Sequence, residues 1–205
     1  MPQRVEEEDA VPPMKTTIES ALDEHARVAG RLREDFAGPI EDAARRVVAC
    51  YRAGGKVLVM GNGGSAADSQ HFAAELVGRY RRERRALPAL ALTTDTSILT
   101  AVANDYSFAD VFRRQIEAHV RQGDVVFGLS TSGNSENVCR ALELARQRGA
   151  VTIVLAGGSG GRMRELADLA LIAPSSETPR IQEAHIAMIH IICDLVEAEL
   201  AADPA

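Results

Sequence analysis

The sequence lacks a basic excess, a cysteine framework and any apolar run long enough to cross a membrane. Its 23 Lys and Arg stand against 29 Asp and Glu, a net charge of −6. A general nucleic-acid binder shows the opposite balance, so no nucleic-acid partner is expected. The chain of 205 residues has three cysteines, Cys50, Cys139 and Cys193. They are odd in number and far apart, which excludes a disulfide scaffold or a cysteine zinc site and fits reduced thiols in the cytoplasm. Cys139 and Cys193 fall in apolar helical patterns and read as packing residues. No stretch reaches transmembrane length and no secretory signal opens the chain, so no membrane partner is expected. There is no internal repeat, no interdomain linker and no G-x-x-x-x-G-K-[ST], which removes the nucleotide P-loop.

What is present is an alternation of short apolar runs and helical patterns. Residues 1–15, with Glu6-Glu7-Glu8-Asp9 and Pro12-Pro13, read as a mobile tail. Residues 16–205 read as one α/β domain with N-terminal helices. Thr16 or Thr17 caps a first helix whose apolar stripe runs Ile18, Leu22, Ala29, Leu32 and Phe36. Gly38-Pro39 breaks it, and a second helix runs to Gly54-Gly55. Strands are expected at 57–60, 89–92, 125–129, 151–155 and 169–172. Helices are expected at about 66–82, over much of 98–120, at 138–146 and from 180 to 200. Strands separated by helix-length segments predict a doubly wound, five-stranded parallel sheet. Ligands bind such sheets at the carboxyl ends of the strands, where the Gly/Ser/Thr/Asp loops of this chain fall.

The chain is organised around Leu129-Ser130-Thr131-Ser132-Gly133-Asn134-Ser135-Glu136-Asn137. This loop joins a strand's end to a helix's start. Helix N–H groups and the helix dipole favour an anion there, and Ser130, Thr131, Ser132 and Ser135 can add hydroxyl donors. The plainer reading is a turn with Ser135 as helix N-cap. Gly61-Asn62-Gly63-Gly64-Ser65 is a second glycine loop at a strand exit. With Ala66 it also matches G-x-G-x-x-A, and Asp95 could serve as the ribose acid of a dinucleotide site. Two such loops at adjoining strand ends suit a sugar phosphate equally well.

His71 and Glu75 are one helical turn apart, able to share a metal ion, a proton or only a surface ion pair. Gln182 and His190 lie on the last helix, about 80° apart around its axis. His185 and several isoleucines surround them, as in an ordinary buried helix. Arg79, Arg81, Arg82, Arg84 and Arg85 read as a solvated helix end, with a partner- or phosphate-steering patch as the alternative.

The segments GNGGSAADSQHFAAEL (61–76), TDTSILTAVANDY (94–106), STSGNS (130–135) and RIQEAHIAMIH (180–190) resemble the sugar isomerase (SIS) domain. Within it they resemble the phosphoheptose isomerases, over about residues 17–200. The resemblance implies a flavodoxin-like SIS fold. It implies conversion of sedoheptulose 7-phosphate to D-glycero-D-manno-heptose 7-phosphate, the first step toward ADP- or GDP-heptose precursors. Ser130, Thr131, Ser132 and Ser135 would hold the phosphate. Asn62, Gly63, Gly64, Ser65, Asn104, Asp105, Glu75 and Gln182 would meet the sugar or shape its pocket. Glu75 and His190 would be catalytic. His71, Glu75, Gln182 and His190 would bind one Zn2+ per subunit of a cytoplasmic homotetramer. A Glu75 that is both ligand and base must change coordination during turnover. Pro179 stands where some relatives have an acidic residue. The alternatives are a non-catalytic SIS adaptor associating with the replication initiator, or an isomerase or binder of another sugar phosphate. The retained His71, Glu75, Gln182 and His190 favour the enzyme.

Overall fold

The computed structural model describes residues 13–201. Five parallel strands, β1 (Val57–Met60), β2 (Ala89–Ala91), β3 (Val125–Ser130), β4 (Val151–Ala156) and β5 (Leu169–Ile172), form one sheet in the order β2-β1-β3-β4-β5. Every pairing is parallel. The strands β1 and β3 are buried along their whole length, as apolar runs covered on both faces must be.

Alternate residues feed two cores. Val57, Val59, Val125, Phe127, Ile153 and Leu155 point to one side. There they pack under α2 (Ala37–Arg52), α3 (Gly64–Val77) and α8 (Thr178–Leu200). Leu58, Met60, Val126 and Val154 point to the other side. They meet α5 (Val111–His119), α6 (Glu136–Gln147) and the one-turn α7 (Met163–Leu166). The helix α4 (Thr96–Asp105) and a 3-10 turn at Phe108–Asp110 complete that side. No helix among the described residues is long and apolar enough to cross a membrane.

The expected fold is the observed one, with corrections at element ends. The expected tail, 1–15, lies outside the described residues for 1–12, while Met14 and Lys15 belong to α1 (Met14–Asp35). Pro13, not Thr16 or Thr17, holds its N-cap position without a side-chain bond. Proline needs no N–H partner at a helix start, which explains the shift. The break before α2 is at Phe36, and Gly38-Pro39 sits inside the first turn of α2. The last helix begins at Thr178, with Pro179 in its first turn. The helix α3 stops at Val77 rather than near Arg82, because Gly78 caps it. The arginine cluster is therefore not a helix end, and the side chain of Arg84 is buried. All three cysteines are free and buried. Burial pushes the Cys50 thiol up to about 11 and those of Cys139 and Cys193 upward as well.

Candidate active site

The sheet order reverses between β1 and β3, which are neighbours leading to helices on opposite faces. Their exit loops, 61–63 and 131–135, therefore flank the crevice where such sheets bind ligands.

The β3 loop is knit together by its own hydroxyls. Ser130 Oγ shares a hydrogen bond with Ser135 Oγ at 2.8 Å and lies 3.4 Å from Ser132 Oγ. Ser132 Oγ accepts the Asn134 N–H at 3.2 Å. Ser135 occupies the N-cap position of α6, but its side chain makes no capping bond. Gly133 has φ +67, and a Cβ there would stand 2.0 Å from Gly160 O. Only glycine tolerates both that backbone conformation and that approach. The glycine loop after β4 is thus a brace: Met163 N–H donates to Gly133 O at 3.0 Å, Arg162 N–H to Asn134 Oδ1 at 3.0 Å and Gly157 N–H to Thr131 O at 3.1 Å. Glu136, in the first turn of α6, is bonded by Arg140 and Arg162, which hold its pKa low. Its charge is thereby balanced at a helix end that attracts anions.

The β1 loop is tied to the β3 segment by a reciprocal amide pair. Asn62 Nδ2 donates to Asn137 Oδ1 at 3.0 Å and Asn137 Nδ2 to Asn62 Oδ1 at 2.9 Å. Asn137 is buried, and sequence reasoning gave it no role. Its position two residues beyond Ser135 was the available signal. Gly63, with φ +56, is the N-cap of α3. The amide of Gln182 packs on Gly64 so closely that a Cβ would stand 2.3 Å from its Nε2. Ser65 is buried against Gly61. Asp95 caps α4, accepting the Ile98 N–H at 2.9 Å, so that carboxylate already has a structural task. Asn104 and Asp105 lie at the exposed end of α4 and bond each other, Nδ2 to Oδ1, at 2.8 Å.

The helices α3 and α8 bring three further residues together. His71 Nε2 lies 3.1 Å from Glu75 Oε1. His190 Nε2 lies 3.0 Å from His71 Nε2. Two protonated imidazoles would repel at that distance, so one nitrogen donates and the other accepts, or a cation sits between them. Burial, then the proximity of His71, lowers the His190 pKa against the opposing pull of Glu75. Tyr80 stacks on the His190 ring, centroids 5.6 Å apart. Ligand atoms of His71, Glu75 and His190 all lie within 4.8 Å of one another. Two imidazoles and a carboxylate at that spacing fit a catalytic zinc donor set with an open position. His185 is separate: it is fully buried, with Nε2 against Ala156 O at 3.2 Å.

A topological switch point with hydroxyl and glycine loops on its rim defines a ligand-binding α/β domain, and the SIS domain family matches residues 22–157. The chain belongs to that family. It groups with the phosphoheptose isomerases. It is 60% identical to the phosphoheptose isomerase of Citrifermentans bemidjiense, over 91% of this chain and 97% of that protein. The solved phosphoheptose isomerase from Neisseria gonorrhoeae is 42% identical with a TM-score of 0.86, over 91% of this chain and all of that one. That from Francisella tularensis is 35% identical with a TM-score of 0.89, at the same coverage.

Proposed function

We propose that the protein interconverts sedoheptulose 7-phosphate and D-glycero-D-manno-heptose 7-phosphate through an enediol, supplying heptose for nucleotide-activated precursors in the cytoplasm. The observation that carries this reading is the meeting of Glu75 and His190 across His71, on helices that flank the glycine and serine loops. Ser130, Thr131, Ser132 and Ser135, with the N-terminus of α6, hold the phosphate. Asn62, Gly63, Gly64, Ser65, Asn104, Asp105 and Gln182 shape the pocket for the sugar chain. A base removes a proton from C1 of the ketose while O2 takes one up, giving the enediol. C2 then receives a proton as the O1 hydroxyl loses one, giving the aldose. A carboxylate and an imidazole on separate helices divide those transfers, Glu75 at carbon and His190 at oxygen. His71, Glu75 and His190, with Gln182 as a fourth donor, would hold one zinc ion. Bound there, zinc would supply Lewis-acid polarisation of the carbonyl.

A homotetramer accounts for apolar surface that the described residues of one chain leave uncovered. In α1 only Val28 is buried, while Met14, Ile18 and Leu22 are 86%, 59% and 62% exposed. The helix α4 buries no residue. Association of copies is the ordinary way to cover such faces. The test of activity is direct: purified protein is given sedoheptulose 7-phosphate and the aldose is assayed. Turnover is expected. None, with or without added zinc, would reject the reading. Light scattering should give a tetramer, and a monomer at micromolar concentration would reject the assembly.

A further inference from the structure

After α3 the chain runs as an irregular strap over α8, and the strap closes on a buried ion pair. Glu197, on α8, is fully buried. Its carboxylate accepts the N–H groups of Tyr80 at 2.9 Å and of Arg81 and Arg82 at 2.7 Å each. Burial alone would raise its pKa, but these donors and Arg84 hold it below the ordinary value. Arg84 Nε stands 3.3 Å from Glu197 Oε1, and neither side chain is more than 2% exposed. The rest of the guanidinium caps the end of α3. Nη1 donates to Leu76 O at 3.0 Å, Gly78 O at 3.2 Å and Arg85 O at 2.9 Å. Nη2 donates to Glu75 O at 2.8 Å.

Helix ends leave carbonyls without partners, and a cation there also complements the helix dipole. Apolar packing could fasten two helices as firmly as a buried ion pair does. What the charged pair adds is direction: the planar fork fixes the strap to the end of α3, and three backbone N–H donors with the ion pair fix the same strap to Glu197 of α8. One end of that device touches the candidate site, and the other reaches it through Tyr80. Arg84 grips the backbone of Glu75 itself. Glu197 follows His190 by seven residues, hence lies on the same face two turns on. It also anchors Tyr80, whose ring stacks on His190.

We propose that Arg84 and Glu197 are positioning residues for the isomerisation, setting the register of α3 against α8 and so the separation of Glu75 from His190. This rests on the reading of Glu75 and His190 as the proton-transfer pair. Arg84→Lys keeps the charge and loses the fork. Glu197→Gln keeps the shape but turns an amide N–H2 toward backbone N–H donors. Steady-state kinetics with sedoheptulose 7-phosphate would compare both variants with wild type, and with Glu75→Gln and His190→Gln as controls, well below each melting temperature. In Arg84→Lys, kcat should fall roughly 10- to 100-fold, the cost of slight misplacement at a reacting centre. Its KM should stay within about threefold, since substrate binding is not what the pair governs. Wild-type kcat in a folded Arg84→Lys protein would overturn the proposal. So would an Arg84→Lys protein that fails to fold, or loses kcat only in step with its folded fraction, since the pair would then be structural. If Glu197→Gln does not fold, Arg84→Lys decides alone. If the two controls keep wild-type rates, the reading of Glu75 and His190 falls and takes this proposal with it. If the controls lose activity and Arg84→Lys does not, only the positioning role falls.

Discussion

The rims of the crevice and the α3–α8 cluster are built by different means. The rims are local: a strand ends, a run of glycine and hydroxyl residues follows, and a helix starts within a few positions. Their long-range ties, Asn62 with Asn137 and Gly133 on Gly160, only brace a shape the contiguous sequence already dictates. The cluster is non-local. His71 and His190 meet at 3.0 Å although they are 119 positions apart. Their meeting depends on two helices holding one register, which packing and the buried Arg84–Glu197 pair supply. The rim is thus suited to binding a fixed group, and the cluster to chemistry that misplacement by an ångström would spoil.

Breaking the cluster should give the largest effect. Glu75→Gln is expected to lower kcat roughly 10²- to 10⁴-fold, as removal of a general base does. Initial rates at saturating substrate check this, and near-wild-type kcat would remove Glu75 from the role. Next comes His71→Ala, which should purify without the roughly one zinc per chain expected of the wild-type protein. Elemental analysis measures that directly. Chelation of wild type should lower its melting temperature, because an ion held only by the folded state stabilises it. A wild-type protein free of zinc after growth in zinc-replete medium would refute the metal assignment.

Disturbing the rim should act on binding instead. Ser132→Ala is expected to raise KM roughly 10- to 100-fold, the worth of one hydrogen bond to a charged group, with kcat little changed. A fall in kcat at constant KM would erase the division between the two regions. The smallest effect lies outside both. Burial pushes the His185 pKa from 6.5 down to about 4. Between those values the unfolded chain takes up a proton that the folded one refuses. Stability should therefore drop as pH falls from 6.5 toward 4 and be unaffected above. Melting temperature against pH should show that slope, flattened in His185→Gln. An unchanged slope would assign the acid sensitivity to other groups.

The same division governs what could be read from sequence. The five strands and the two rim loops were legible because periodicity and loop composition act over a few residues, whereas the strand order came from the structure. The His71–Glu75 pair was legible as one helical turn. That His190 would join it was available only through family resemblance, since eleven positions of α8 carry two histidines and a glutamine with no local sign of which face the sheet. Arg84 was misread for the same reason. Five arginines within seven residues look alike until Gly78 stops α3 and turns one of them inward. Asn137 was passed over because nothing in its neighbours announces a partner 75 positions away.

The claim that the loops bind while the cluster reacts is tested most directly by the affinity of an inactive cluster variant. Calorimetric titration of Glu75→Gln with sedoheptulose 7-phosphate should give a Kd within about threefold of the wild-type KM, despite the lost turnover. A Kd weakened in proportion to the loss in kcat would contradict it, because Glu75 would then be holding the substrate rather than transforming it.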